Sequence, residues 1–292
     1  MYSLYGPIRA LAFAVMHLAF LPNLFAQIDL KSGHALHAPN LTFDVISVRE
    51  DKTGSRTFTS DNPLHAGIFR ATNISTQNLI QMAYGVADFK IIGGPSWLRS
   101  ALFDIWAKCD TSTDDKLRKL SDDEAKLEKQ HMLQTLLADR FQLRVHQGTK
   151  KLPILALIAM RGGPKFRATK PESQSLDQTE ESGDPNEPRI TSRGGPLGSE
   201  IIAHNISVKR LAELLSALTQ TTVIDQTGLS GTYDLTLQWH PTELDSGSAD
   251  NPDSQWPSIY SAIEEQLGLS LKATTGPVTV LIIEHVEIPS EN

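Results

Sequence analysis

Two acids flank a hydroxyl-rich, glycine-containing bend in "VIDQTGLSGTYDLTLQW", residues 223 to 239: Asp225 and Asp234, with Thr227, Ser230 and Thr232 between them. A converging carboxylate pair can share one proton and so serve general acid and base chemistry. The aspartic-protease form of that site needs Asp, Thr and Gly in direct succession at two tight turns. Here Gln226 interrupts the order, and the related stretch "IIGGPSWLRSALFDIWAK" has no acid where Asp225 stands. The stretch therefore reads as strand, turn, strand. Gly228 and Gly231 supply backbone freedom, Asp225 is a turn residue and Asp234 an outward strand residue.

Other chemistries find less support. The chain has no Gly-x-Ser-x-Gly elbow, no Ser-x-x-Lys and no His-Glu-x-x-His. Gly-Gly-Pro occurs at 93 to 95, 162 to 164 and 194 to 196, but none is followed by the Lys-Ser or Lys-Thr of a phosphate loop, so all three read as turns. His34 and His37 lie in an N-terminal arm, and Cys109 is the only cysteine. No metal site and no cofactor is expected. The enzymatic alternative is an envelope hydrolase with its site at a junction where His146, Asp225 or Asp234 could meet. A third reading is a small-ligand sensor with an apolar pocket.

The reading favoured by the residues is a binding module. Trp97, Trp106 and Trp239 are large amphipathic side chains of the kind that anchor partners, with core burial equally open for Trp97 and Trp106 and the favoured reading for Trp239, which shares a strand face with Leu235 and Leu237. Trp106 shares a strand face with Asp104 and Lys108 and is the more open case. Another envelope protein would dock on a sheet edge or helix face.

The elements that must position these residues recur. "ATNISTQNLIQMAYGV" from Ala71 and "AHNISVKRLAELLSAL" from Ala203 share Ala-x-Asn-Ile-Ser, 132 residues apart. Leu79, Met82, Ala83 and Val86 match Leu211, Leu214, Leu215 and Leu218, each set with the i, i+3, i+4, i+7 spacing of one helix face. Ser75 and Ser207 stand as N-caps. Asn73 and Asn205 also sit in glycosylation sequons, but helix entry is the better reading of the motif. Phe103-Asp104-Ile105 corresponds to Tyr233-Asp234-Leu235, and strand alternation turns both acids to the wetter face. A capping box at Ser121 and Glu124 opens a helix with Met132, Leu133, Leu136, Leu137 and Phe141 inward. Its counterpart carries Ile259, Ile263 and Leu267 and stops at Gly268. Each copy then closes with a hairpin, its turn at Gly148 or at Gly276-Pro277.

The spacing predicts an α+β fold of two related split βαβ modules, each strand-helix-strand-strand-helix-strand in type. Expected boundaries are a signal peptide over 1–26, a loose arm over 27–42, a first module over 43–164 and a flexible linker over 165–200. A second module over 201–289 carries a mobile loop at 240–256. The leader reading rests on Arg9 followed by the uncharged run Ala10 to Leu21, too short to span a bilayer and suited to export to periplasm or medium. Removing residues 1–26 takes away Arg9 and no acid, so the formal charge moves from -7 to -8. An acidic protein lacks the basic footprint that sequence-independent nucleic-acid binding requires. A single cysteine allows no internal disulfide.

The ordered series "NISTQNLIQMAYGV", "IIGGPSWL", "MLQTLLADRFQLRVHQGTKKLPILALI", "GGPK", "VIDQTGLSGTYDLTLQW" and "EEQLGLSLKATTGPVTVLIIEHVEIPSEN" resembles a secreted, heavily paralogous family of uncharacterised proteins from soil acidobacteria, over Phe43 to Asn292. The resemblance brings no activity and no catalytic residues. Relatives joined to membrane metallopeptidases of the antibiotic-sensor type imply a sensing or partner-binding role. More remotely, the copies are similar to the short N-terminal domains of secretins and TonB-dependent transporters, a likeness of fold that does not fix function.

Overall fold

The computed structural model describes residues 41–52, 58–169, 188–195, 198–240 and 256–290. The expected leader, nearly all of the arm, the middle of the 165–200 segment and nearly all of the 240–256 loop lie outside the described residues. In chain order the strands are β1 (Val45–Glu50), β2 (Thr59–Asp61), β3 (Ile68–Ser75), β4 (Ile91–Gly93), β5 (Leu102–Lys108) and β6 (Arg144–Ala159). They continue as β7 (Arg167–Ala168), β8 (Arg189–Gly195), β9 (Gly198–Ser207), β10 (Val223–Asp225), β11 (Thr232–Trp239) and β12 (Leu269–His285). The helices are α1 (Thr76–Tyr84), α2 (Trp97–Ser100), α3 (Thr111–Leu117), α4 (Asp122–Phe141), α5 (Val208–Thr219) and α6 (Ile259–Ala262), the last running on as a π turn over Ile263–Leu267. This mixture of helices and sheets is α+β.

The two outer sheets have the same order, β1-β5-β3-β2 and β7-β11-β9-β8. Each contains one bulge, where the register shifts between Ala71 and Ile74 in one and between Tyr233 and Leu235 in the other. At each bulge an asparagine takes the left-handed conformation, Asn73 at φ 55 and Asn205 at φ 54. Asparagine tolerates that region better than most side chains. The extra residue bends the strand and delivers the chain to its helix. There Ser75 accepts from the Asn78 amide at the start of α1, and Ser207 from the Arg210 amide at the start of α5.

Burial along β5 alternates, with Phe103, Ile105 and Ala107 inside and Asp104, Trp106 and Lys108 outside. The inner residues meet α4, whose first turn closes the reciprocal Ser121–Glu124 capping box. Phe103 and Phe141 pack edge to face, with ring centroids 5.4 Å apart and planes at 87°. In the second half Ile201, Ala203, Leu235, Leu237 and Trp239 form the corresponding inner face, covered by Leu211, Leu215, Ile263 and Leu267.

The closing hairpins expected at Gly148 and at Gly276-Pro277 do not form. β6 and β12 are each one continuous strand, paired antiparallel with one another along their length from Arg144 opposite His285 to Ala159 opposite Leu269. The glycines provide room rather than turns. A β-carbon on Gly148 would lie 2.7 Å from Cδ1 of Ile282, and one on Gly276 would lie 2.5 Å from Cδ1 of Ile154. The prolines are admitted by the register. Leu155 turns its N–H away from β12, to the Thr222 carbonyl at 2.9 Å. By strand alternation Pro153, opposite Thr275, and Pro277, opposite Lys151, occupy pairs that exchange no hydrogen bond.

The central sheet, ordered β10-β6-β12-β4, joins the halves. β4, from the first half, runs parallel to β12 at Ile91 and Leu281, and β10, from the second, runs parallel to β6 at Val223 and Leu155. Leu281 and Ile283 thus belong to the first core, and Leu157 to the second. Two independent modules on a tether do not describe this arrangement, because each core is completed by a strand from the other half. The two ends of the 165–200 segment, expected as linker, are strands: β7 and β8 are edge strands of the second outer sheet. β8 was hidden by its polarity, since Ile190, opposite Ala203, is the one large apolar side chain in "RITSRGG".

Candidate functional site

The structure gives the sequence-marked acids scaffolding roles. Asp234 Oδ1 accepts from the Asn205 amide and from the Thr169 hydroxyl, both at 2.9 Å. Asp104 Oδ1 accepts from the Asn73 amide at 3.1 Å. Each acid therefore pins the left-handed asparagine of its own sheet. Asp225 Oδ1 accepts from the Thr227 amide at 2.9 Å and its hydroxyl at 2.8 Å, closing an Asx turn.

His146 pairs instead with Glu284, Nδ1 to Oε1 at 2.7 Å, on the exposed side of the central sheet. Asp225 lies opposite Leu157, eleven residues along β6 from His146. At a rise of ~3.3 Å per residue that is roughly 36 Å, far beyond the reach of any shared substrate atom. His204 Nδ1 stands 3.7 Å from Asp234 Oδ1, an oxygen already engaged twice. Among the described residues no group of three His, Cys, Asp or Glu side chains is arranged to hold a metal ion.

The three tryptophans separate. Trp239, one of the three candidate anchors, is 8% exposed and belongs to the second core. Strand alternation puts it on the same side as Leu235 and Leu237, which removes it from the binding surface. Trp97, the first residue of α2, is half-buried against the first core. Trp106 is 40% exposed. It projects from an interior strand of its sheet, opposite Ser47 on β1 and Arg70 on β3. Val45, 51% exposed, shares that face, and Arg49, Lys108 and Asp104 ring it.

The second half is an internal control. Counting from the pinned acids, Asp104 and Asp234, the residue matching Trp106 is Thr236, and the one matching Lys108 is Gln238. The same sheet geometry forms around threonine, so folding does not call for an aromatic there. The outward tryptophan is a property of the first sheet alone.

Sequence reasoning missed two charged side chains buried next to each other on α4. Glu128 is 0% exposed and accepts from the Leu41 amide through Oε1 at 2.7 Å. Lys129 is 2% exposed, and its ammonium donates to the carbonyls of Ala66 and Ile68 at 2.8 and 2.7 Å, with the Phe43 ring centroid 5.7 Å away. Burial pushes the Lys129 amine down to about 8, against the opposing pull of Cys109, Asp114 and Asp61. Burial likewise pushes the Cys109 thiol up, assisted by Asp114 and Asp110. This cluster holds the entering chain and the β2–β3 connection onto α4. Its signal lay in the periodicity: 128 and 129 fall between Ala125 and Met132, inside the apolar stripe.

The assembly defines an α+β protein with three sheets, interlocked halves and an outward aromatic on one sheet. Residues 77–286 match the family described as protein of unknown function (DUF3738), and the chain belongs to that family. No curated protein and no solved structure matches it. Among the described residues no helix is long and apolar enough to cross a membrane.

Proposed function

We propose that this is an exported, non-enzymatic protein that binds another envelope protein through its first outer sheet, with Trp106 as the anchor. The observation carrying this reading is the contrast between Trp106, 40% exposed on an interior strand of its sheet, and Thr236 at the same place in the second half. An amphipathic aromatic ringed by Arg49, Arg70, Lys108 and Asp104 is the composition of an interface hot spot. Export is supported by the Arg9-led apolar run at the N-terminus. Duplication of one ancestral half is supported by the shared sheet order, the paired bulges and the paired Asn–Asp clasps.

The test uses Trp106→Thr, which installs the side chain that the second half already accommodates. Wild-type protein immobilised on a support should retain a partner from envelope extract, and Trp106→Thr should lose it with its melting temperature unchanged. Equal retention by the two proteins would overturn the reading.

A further inference from the structure

The two outer sheets differ at one edge. In the first, β1 covers β5 over six residues, from Val45 opposite Lys108 to Glu50 opposite Phe103. In the second, β7 supplies only Arg167 opposite Asp234 and Ala168 opposite Tyr233. These are the counterparts of Arg49 and Glu50. The residues matching Val45 to Val48, 163 to 166, do not pair with β11, and among the described residues no strand lies beside the edge of β11 from Leu235 to Gln238.

The chain is steered away from that edge by the second Gly-Gly-Pro. Gly163, at φ +74, brings its carbonyl so close to Gly268 that a β-carbon there would lie 2.3 Å from it, and the Lys165 amide then donates to the Leu267 carbonyl at 2.9 Å. Lys165 is the residue that would face Thr236 had β7 continued in register. At the far end Gln266 fills in for a strand: its Oε1 accepts from the Gln238 amide at 2.9 Å and its Nε2 donates to the Gln238 carbonyl at 2.7 Å. Since the backbone of Gln238 faces this side, alternation turns the N–H and C=O of Thr236 the same way. They open into a hollow of about 500 Å³, floored by Phe166, Leu235 and Leu267 and edged by Lys165, Arg167, His204 and the Asp234 carboxylate that stands 3.7 Å from His204.

We propose that this gap is a strand-addition site for an extended, acidic peptide segment with aliphatic residues at alternate positions. The occupant pairs with Thr236, drops an aliphatic side chain onto the apolar floor, and sets its carboxylates toward Lys165 and Arg167, away from Asp234. β1 shows the pattern that satisfies such an edge: in "FDVISVRED", residues 43 to 51, Ile46 and Val48 alternate inward opposite Ala107 and Ile105, and the segment has three acids to one arginine. The Gln266 amide acts as a placeholder that an entering strand displaces. This site rests on the partner-binding reading but lies on the other outer sheet from Trp106.

The probe is a labelled synthetic peptide of the sequence FDVISVRED, added to the full chain and followed by fluorescence anisotropy, with hydrogen exchange of the Thr236 amide read in parallel. Binding is expected, several-fold tighter to Gln266→Ala, which exposes a second hydrogen-bonding pair. It should be at least tenfold weaker to Thr236→Pro, which removes the outward N–H without touching the β9 ladder, and weaker to Arg167→Glu. The Thr236 amide should exchange freely in the protein alone and slowly with peptide. Absence of binding, equal binding to Thr236→Pro, or a Thr236 amide already protected without peptide would each overturn the proposal. The exchange measurement uses wild-type protein, so it stands even if a variant fails to fold. Trp106→Thr should leave peptide binding intact, which separates failure of this site from failure of the Trp106 face.

Discussion

The amide of Asn205 donates to Asp234 Oδ1 at 2.9 Å while Asn205 sits at φ 54, so an acid on one strand fixes a left-handed residue on its neighbour. Asp104 does the same for Asn73. Replacing Asp234 by Ala removes acceptors from the Asn205 amide and the Thr169 hydroxyl. With the carboxylate partly open to water, the expected loss is about 1 to 2 kcal/mol, read as a lower urea midpoint at unchanged slope. Asn205→Gly, which accepts the same φ, should cost less than Asn205→Ala. A larger loss from the glycine variant would contradict the clasp.

Lys129 makes stability depend on alkaline pH. Its folded-state amine is held at about 8, below the ordinary lysine value of 10.5, so between those values the unfolded chain binds the extra proton. Stability from this group therefore rises with pH through that window, by up to ~3 kcal/mol, and the penalty is fully present below pH 8. Denaturant midpoints measured from pH 7 to 10.5 should climb in the wild type relative to Lys129→Met. Parallel curves would show that the amine is not depressed.

Gly268 and Gly228 both have positive φ, +64 and +71, but different surroundings. A β-carbon at Gly268 meets the Gly163 carbonyl, whereas one at Gly228 meets nothing within 4 Å. Gly228→Ala should cost about 1 kcal/mol, the backbone term alone. Gly268→Ala should cost more than about 2 kcal/mol, because two backbone segments must separate. Thermal melts of the two variants decide it; equal shifts would mean the close approach relaxes freely.

Interlocked halves should unfold together. A calorimetric scan of the full chain is expected to give one transition, with calorimetric and van't Hoff enthalpies equal. A protein ending after residue 169 should lack a cooperative transition, since Leu281 and Ile283 would be missing from its core. Two separate transitions in the full chain would restore the picture of tethered modules.

Local patterns were legible wherever one residue type had one physical use. Ser75, Ser121 and Ser207 cap helices where their spacing placed them, and alternation put Phe103, Ile105 and Leu235 inside. Glycine misled, and tryptophan was ambiguous, because the same residue type serves two ends. Gly148 and Gly276 look like turns but clear space for isoleucines on the neighbouring strand, a fact that exists only once β6 and β12 are paired. Trp239 and Trp106 lie on similarly alternating strands, and which face meets a core is decided by what packs there. Gln142 and Gln220 end helices in the left-handed region, both at φ 48, without the glycine that usually announces such a stop. Glu128 and Lys129 were hidden for the opposite reason, since charge on a helix ordinarily marks its wet side.

The sharing of β6 and β12 between the two cores also sets a timetable for synthesis. Phe103, Phe141 and the rest of the first core are translated long before Leu281 and Ile283, which lie more than a hundred residues downstream yet pack among them. Until those residues leave the ribosome, α4 can cover the first outer sheet, but among the described residues Ile91 has no strand to pair with and the first core lacks the part that β12 supplies. The first core is therefore completed only near the end of synthesis, which places its last packing step after translation of β12.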